Sequence, residues 1–393
     1  MPHPPRTEWS TARRFAILTL MIATVSGCSD PQLPAPGALE PVVIPSAEAV
    51  RAEQTQPEAP QQEAMPIACD EVNGIRPACG FKNPEDLAVV PGGELLLVSE
   101  MGAFMSDAPN TLSLFNIATN QRQTIAINWD ADGARWGYPS CTAPDPDKFS
   151  PHGIDLMTRA DGRHQLLVVN HGDEQVEFFE LLNPAGTWQL HWKGCAKPPG
   201  DPFINDVAGL NDGGFFATHM WNKTMPFDEV VERLNAGEKI GWVWQWQAHS
   251  GFTKLPNSDE LMPNGIAVNK DNSKIFVNIY MGNKTIRIDR ASTEVDAQFT
   301  VKNPDNIIVD GDGSLWVASH LNDPIEGRCP DDHAGPCLLP FEVIKADPDT
   351  MATQVVFKHS GEPMGYVTVA LPHRGRLYMG TASGDRLAST EIR

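Results

Sequence analysis

Several familiar signatures are missing from this chain of 393 residues. No CxxC pair occurs, which removes support for a thioredoxin-like centre or a zinc knuckle. No GxSxG occurs, so a serine-hydrolase elbow has no footing. Basic residues number 30 against 50 acidic ones, a net charge of −20, with no Lys/Arg-rich stripe. That balance argues against nucleic acid as a partner. Helical patterns are scarce, "FDEVVERLNAG" (227–237) being the best candidate. "DGDGS" (310–314) opens like an EF-hand loop, but Leu321 stands where the bidentate Glu belongs, so it reads as a hairpin turn.

The N-terminal apolar run "FAILTLMIATV" (15–25) is too short to span a bilayer. Arg6, Arg13 and Arg14 precede it and "SGC" follows, the layout of a secretory signal. "VSGC" (25–28) resembles the bacterial lipobox, with Cys28 as the lipidated first residue of the mature chain. Residues 1–27 are therefore expected to be a lipoprotein signal. Residues 28–66, rich in Pro, Ala, Glu and Gln, are expected to be a disordered tether. The expected location is an exported, membrane-anchored lipoprotein, in contact with membrane through its lipid alone. Ser29 after the cysteine favours the outer membrane or the periplasmic face, by analogy with Gram-negative sorting.

Six further cysteines remain: Cys69, Cys79, Cys141, Cys195, Cys329 and Cys337. An even number in an oxidising compartment suggests disulfides. Cys69–Cys79 and Cys329–Cys337 would close short loops and leave Cys141–Cys195, one choice among the fifteen that six cysteines allow.

What the chain does contain is a repeat. "NPDNIIVDGDGSLWVASH" (303–320) reads as a hairpin, yet Asp305–Asn306 at its head is poor strand material. Similar stretches occupy 83–100, 150–171, 202–219, 262–280 and 365–383. Each has a leading pair, an apolar run, a turn and a second apolar run. They recur roughly every 40 to 70 residues, the mark of a repeat architecture. Further strand-like runs such as "TLSLFNI" (111–117), "QVEFFEL" (175–181) and "TIRIDR" (285–290) lie between them. The spacing leaves about four strands per unit, the size of a propeller blade. The expected fold is all-β, a single six-bladed β-propeller over 67–393; a β-sandwich or two separate β domains would explain the matched hairpins less well.

Aligned by strands, the leading pairs are Glu85–Asp86, His152–Gly153, Asn205–Asp206, Asn264–Gly265, Asp305–Asn306 and Val367–Thr368. Innermost strands line a propeller's channel, so five of these pairs would aim acids, amides or imidazole at one axis. Hard oxygen donors in that number suit calcium, with Glu85, Asn205, Asn264, Asp305 and Asn306 as ligands. Any single pair is better explained by local hydrogen bonding at a strand start. Five at one phase are not.

At these residues the chain resembles the paraoxonase family of calcium-dependent lactonases and arylesterases, within the wider gluconolactonase-like propeller group. "PEDLAVVPGG", "FSPHGID", "LLVVNH", "PNGIAV" and "DNIIVDGDGSLWVASH" carry the likeness across most of 80–390. The resemblance implies a six-bladed propeller with two calcium ions in its channel. It implies that the five ring residues hold the catalytic ion, and that Asp86, Asp206 and the Ile154 carbonyl hold a structural one. It implies that His152 activates water, that His171 is its partner, and that His320 lines the pocket. Departures are visible too. The chain ends "STEIR" without a cysteine, so the ring must close by strand pairing or by other bridges. "MGAFMSDAPN" (101–110) lacks the Lys-Tyr of the family's active-site lid.

The expected activity is calcium-dependent hydrolysis of small-molecule lactones, with aryl esters as further substrates. His152 is the expected base and His171 the proton relay. A non-catalytic, surface-anchored, calcium-stabilised propeller that binds a ligand or protein is the alternative from another class.

Overall fold

The computed structural model describes residues 67–103, 106–130, 135–325, 327, 329 and 335–392. The expected signal, Cys28 and the tether lie outside them. Six sheets follow one another along the chain, each running from an innermost strand outward. Five have four strands, and the second blade gains a fifth, Ala126–Asn128, paired in parallel with Gln189–Ala196. The molecule is a six-bladed β-propeller. Each expected hairpin is the inner pair of one blade; Pro304–Val309 with Leu315–His320 is the fifth.

The hairpins read as alternating runs, but several of their second strands are buried on both faces. The reason is the stacking of blades. Successive side chains on a strand point to opposite faces, and each face meets a neighbouring blade. Phe178 and Phe179 are both fully buried, yet Phe178 packs into the seam with Phe215 and Trp246, and Phe179 into the seam with Leu97 and Leu112. Phe215 and Phe216 divide in the same way. Each of the six seams has its own apolar cluster. Burial of one such Phe is worth about 1.5–3 kcal/mol.

The helix α1 (Phe227–Asn235) falls in the connection between Phe215–His219 and Trp242–Gln247 of the third blade. Asp228 and Glu229 lie in its first turn and Arg233 in its last, as the helix dipole favours. Val230 and Leu234, one turn apart, bury its inner side against Phe203, Met220 and Trp221.

The ring is closed by strand pairing. Arg76–Cys79 adds antiparallel to Arg386–Glu391 and completes the sixth blade. The three cystines pair as Cys69–Cys79, Cys141–Cys195 and Cys329–Cys337. Arg386 is 1% exposed and holds the strap that enters the closing strand. Its guanidinium donates to the carbonyls of Ala68 (2.9 Å) and Ile67 (2.9 Å) and pairs with Asp385. Arg386→Ala is expected to cost about 3 kcal/mol, because charged hydrogen bonds are lost and their acceptors left behind. The measurement is a urea titration: the midpoint should fall at constant slope. An unmoved midpoint would mean that the strap contributes nothing to closure.

Candidate active site

Every inner hairpin breaks register at the same place. The breaks fall between Pro84 and Asp86, Pro151 and Ile154, Ile204 and Val207, Pro263 and Ile266, Pro304 and Ile307, and Val367 and Val369. The residues inside the breaks are the leading pairs or members of them. A β-bulge leaves residues unpaired, bends the strand and re-aims its side chains. Poor strand formers therefore sit where no regular ladder is asked of them.

Glu85, Asn205, Asn264 and Asp305 line one cavity together with His152 and His171. Asn306 stands beside them, its amide donating to Glu85 Oε1 at 2.7 Å. Asp86, Asp206 and Ile154 line a second cavity further along the same strands. There Asp86 accepts from the Ile154 N–H and Asp206 from the Ile266 N–H, each at 2.8 Å, tying neighbouring blades at the hub. Glycine fills the second place of two pairs because the next blade is too close for a side chain. A Cβ on Gly153 would lie 2.4 Å from Asp206 Oδ1, and one on Gly265 2.5 Å from the Asp305 carbonyl oxygen.

The ring is short of donors. Glu85 Oε2, Asn264 Oδ1 and Asn306 Oδ1 are buried oxygens with no hydrogen-bond partner. Leaving such an atom unpaired costs about 1–3 kcal/mol. Burial drives the Glu85 carboxyl well above its ordinary value, and the charges of Asp86 and Asp305 add to it. Asp305 is pushed up to about 8 by burial, against a hydrogen bond from Asn264 that pulls the other way. Among the described residues no group of three His, Cys, Asp or Glu is placed to hold a metal ion. A cation here would rest on the amides as much as on the two acids, and such an oxygen set suits a hard ion.

Each ring acid has an imidazole beside it. His152 Nε2 lies 3.6 Å from Glu85 Oε1, and His320 Nε2 lies 3.6 Å from Asp305 Oδ2. His152 Nδ1 meets His171 Nε2 at 2.9 Å, so the two expected partners form a dyad. Burial, then the neighbouring His171, holds the His152 ring well below the usual imidazole range, which keeps it neutral. His320 differs from expectation. It is 1% exposed and stands behind the cavity wall, stacked on Tyr366 at 4.1 Å with its Nδ1 2.9 Å from the Tyr280 hydroxyl. Tyr280 and Tyr366 line the cavity in its place. The other walls are apolar, with Phe227, Val230 and Leu234 of α1 and Met101, Met220 and Met262.

The model of the arylesterase family matches residues 78–387. This chain belongs to the arylesterase family. It is 24% identical over 344 residues to human serum paraoxonase/arylesterase 1, covering 81% of this chain and 88% of that protein. It is 25% identical over 320 residues to mouse serum paraoxonase/lactonase 3, covering 77% and 84%. A gluconolactonase of Xanthomonas campestris has the same fold, with a TM-score of 0.50, 15% identity and coverage of 81% and 89%.

Within this arylesterase-family site, sequence reasoning missed Tyr280, Tyr366, Glu174 and Lys223. Glu174 Oε1 accepts from Lys223 Nζ at 2.9 Å and lies 2.8 Å from His171 Nδ1. Glu174 and Lys223 come from loops that the alignment does not stack, whereas Tyr280 and Tyr366 fall within repeats, Tyr280 at the position of His171 and His320, but carry no leading-pair residue type. The left-handed φ of 50° at Tyr366 was not legible either.

The buried acids predict a pH dependence. In cation-free protein Asp86 titrates at about 7 and Asp305 at about 8, both raised chiefly by burial. Unfolded aspartate titrates near 4. The folded chain thus holds protons that the unfolded chain has released, and stability should fall as pH rises from about 4 to about 8. Urea midpoints in excess chelator should be lower at pH 8 than at pH 5. Equal midpoints would show that these carboxyls are hydrated.

Proposed function

We propose that this chain is a calcium-dependent hydrolase that opens lactones and cleaves aryl esters. The observation that carries this reading is one cavity holding both the His152–His171 dyad and a ring with unpartnered buried oxygens. The donor set fits calcium. Glu85, Asn205, Asn264, Asp305 and Asn306 would hold an ion, and Asp86, Asp206 and the Ile154 carbonyl a second. The first ion, when bound, would supply Lewis-acid stabilisation of negative charge on the ester carbonyl oxygen.

The chain's own residues do the rest. His152 presents Nε2 to the cavity and takes a proton from water as that water attacks the carbonyl carbon. His171 receives the Nδ1 proton of His152 across their hydrogen bond. The apolar walls hold the non-reacting part of the substrate and exclude bulk water. Lactone and aryl ester both fit because each asks for one carbonyl, one water and one departing oxygen. The serum relatives, one described as an arylesterase and the other as a lactonase, support both substrate classes. We further propose that Cys28 is lipidated and anchors the propeller to a membrane.

Three measurements test this. Excess chelator should abolish hydrolysis of δ-valerolactone, γ-dodecalactone and phenyl acetate, and calcium should restore it; full activity in chelator would overturn the metal role. Calcium at about 100 times its dissociation constant should stabilise the fold by about 2.7 kcal/mol, read as a rise in melting temperature. His152→Gln should keep that rise while kcat falls about 10²–10⁴-fold. A calcium-dependent rise with no hydrolysis of any of the three would instead leave a binding module.

A further inference from the structure

We infer that Glu174 is a positioning residue for this reaction, fixing the tautomer of His171 and, through it, that of His152. The inference rests on the dyad acting as proposed above. Glu174 belongs to the turn between His164–Asn170 and Gln175–Leu182. Turn residues are usually solvated, yet Glu174 is 6% exposed and adopts a left-handed φ of 49°. A buried acid held in a sparsely populated backbone conformation needs a reason, and strain of this kind gathers at working sites.

Its partners supply the reason. Oε2 accepts from the Ile204 N–H at 3.2 Å. Oε1 accepts from Lys223 Nζ at 2.9 Å and faces His171 Nδ1 at 2.8 Å. Lys223 also donates to the His171 carbonyl at 3.2 Å, so one ammonium fixes both ends of the turn. A carboxylate can only accept. His171 must then carry its hydrogen on Nδ1, which leaves Nε2 bare. Bare Nε2 accepts from His152 Nδ1, 2.9 Å away. His152 is left with a bare Nε2 turned toward Glu85 and the cavity, the one tautomer that can take a proton from water.

The proton count closes on the same chain. Water gives one proton to His152 Nε2 as its oxygen bonds to the carbonyl carbon. The Nδ1 proton of His152 passes to His171, whose positive charge then lies against Glu174. When the ring C–O bond breaks, the transfers reverse and the departing alkoxide takes the proton. Lactone and water become hydroxy acid with nothing left over.

The test is Glu174→Gln in the full chain with calcium, assayed on the same lactones and ester. Glutamine can donate where glutamate cannot, so it permits the opposite tautomer in both rings. The expected result is a fall in kcat of about 10²–10⁴-fold, the contribution of general-base catalysis that a wrong tautomer forfeits, with KM within about threefold. A residue acting through His171 has nothing left to act on in its absence. Adding Glu174→Gln to His171→Gln should therefore change kcat by less than about twofold. Glu174→Gln/Lys223→Met removes both charges of the pair, guards against misfolding, and should show the same loss. Near wild-type kcat in Glu174→Gln overturns the inference, as does an equal loss with and without His171. A wild-type chain inert toward every substrate overturns the function and this inference together; an active one with a tolerant Glu174→Gln overturns this inference alone.

Discussion

Six strands meet at one hub, and none keeps a regular ladder to its end. This constraint shapes the rest of the molecule. The bulge at the head of each inner hairpin frees side chains from the alternation of the strand and turns them inward. Hub backbone groups that lose ladder partners find new ones in neighbouring blades. Thr368 donates to the Glu85 carbonyl at 2.7 Å, and Thr218 to that of Asn264 at 2.6 Å. The same bonds that seat the blades therefore aim the ring. Apolar seams supply the bulk of the stability, and the hub spends part of it on buried acids and unpaired oxygens.

The seams and the hub divide the work by residue type. Outward from the axis, Phe, Leu, Ile, Val and Trp fill both faces of the sheets. At the axis the side chains are Glu, Asp, Asn and His, nearly as buried as the core: Glu85 is 1% exposed and Asn306 2%. Buried acids so close together raise each other's proton affinity, and burial raises it further. A bound cation removes that conflict, whereas an apolar ligand would not.

Much of this was legible in the sequence, and the limits have physical causes. The blade hairpins stood out because a repeated unit repeats its turns. Asp305–Asn306 stood out because two polar residues have no place in a buried ladder; the bulge shows that they are not in one. Two cystines close the short loops that the sequence offered, and the third joins the two cysteines they leave. The closing strand Arg76–Cys79 was invisible, since four residues carry no period and its partner lies some three hundred residues away. The family resemblance placed His320 on the cavity wall, but a matching strand position does not fix what packs in front of it; Tyr280 and Tyr366 do. Glu174 escaped because turns vary between blades, so no other blade offers a residue to compare with it.

The closing strand also sets an order of events. Synthesis runs from the N-terminus, so Arg76–Cys79 is made before any blade and its partner Arg386–Glu391 after all of them. Until the last residues arrive, the nascent molecule is an open arc with an unpaired edge at one end and a strand without a sheet at the other. Contacts of such long separation form late and slowly, and exposed edges invite pairing with other chains. A truncation that removes only the final strand would therefore do more than shorten a blade. It would leave Arg76–Cys79 without its partner and the edge of Arg376–Thr381 unpaired, a template for aggregation.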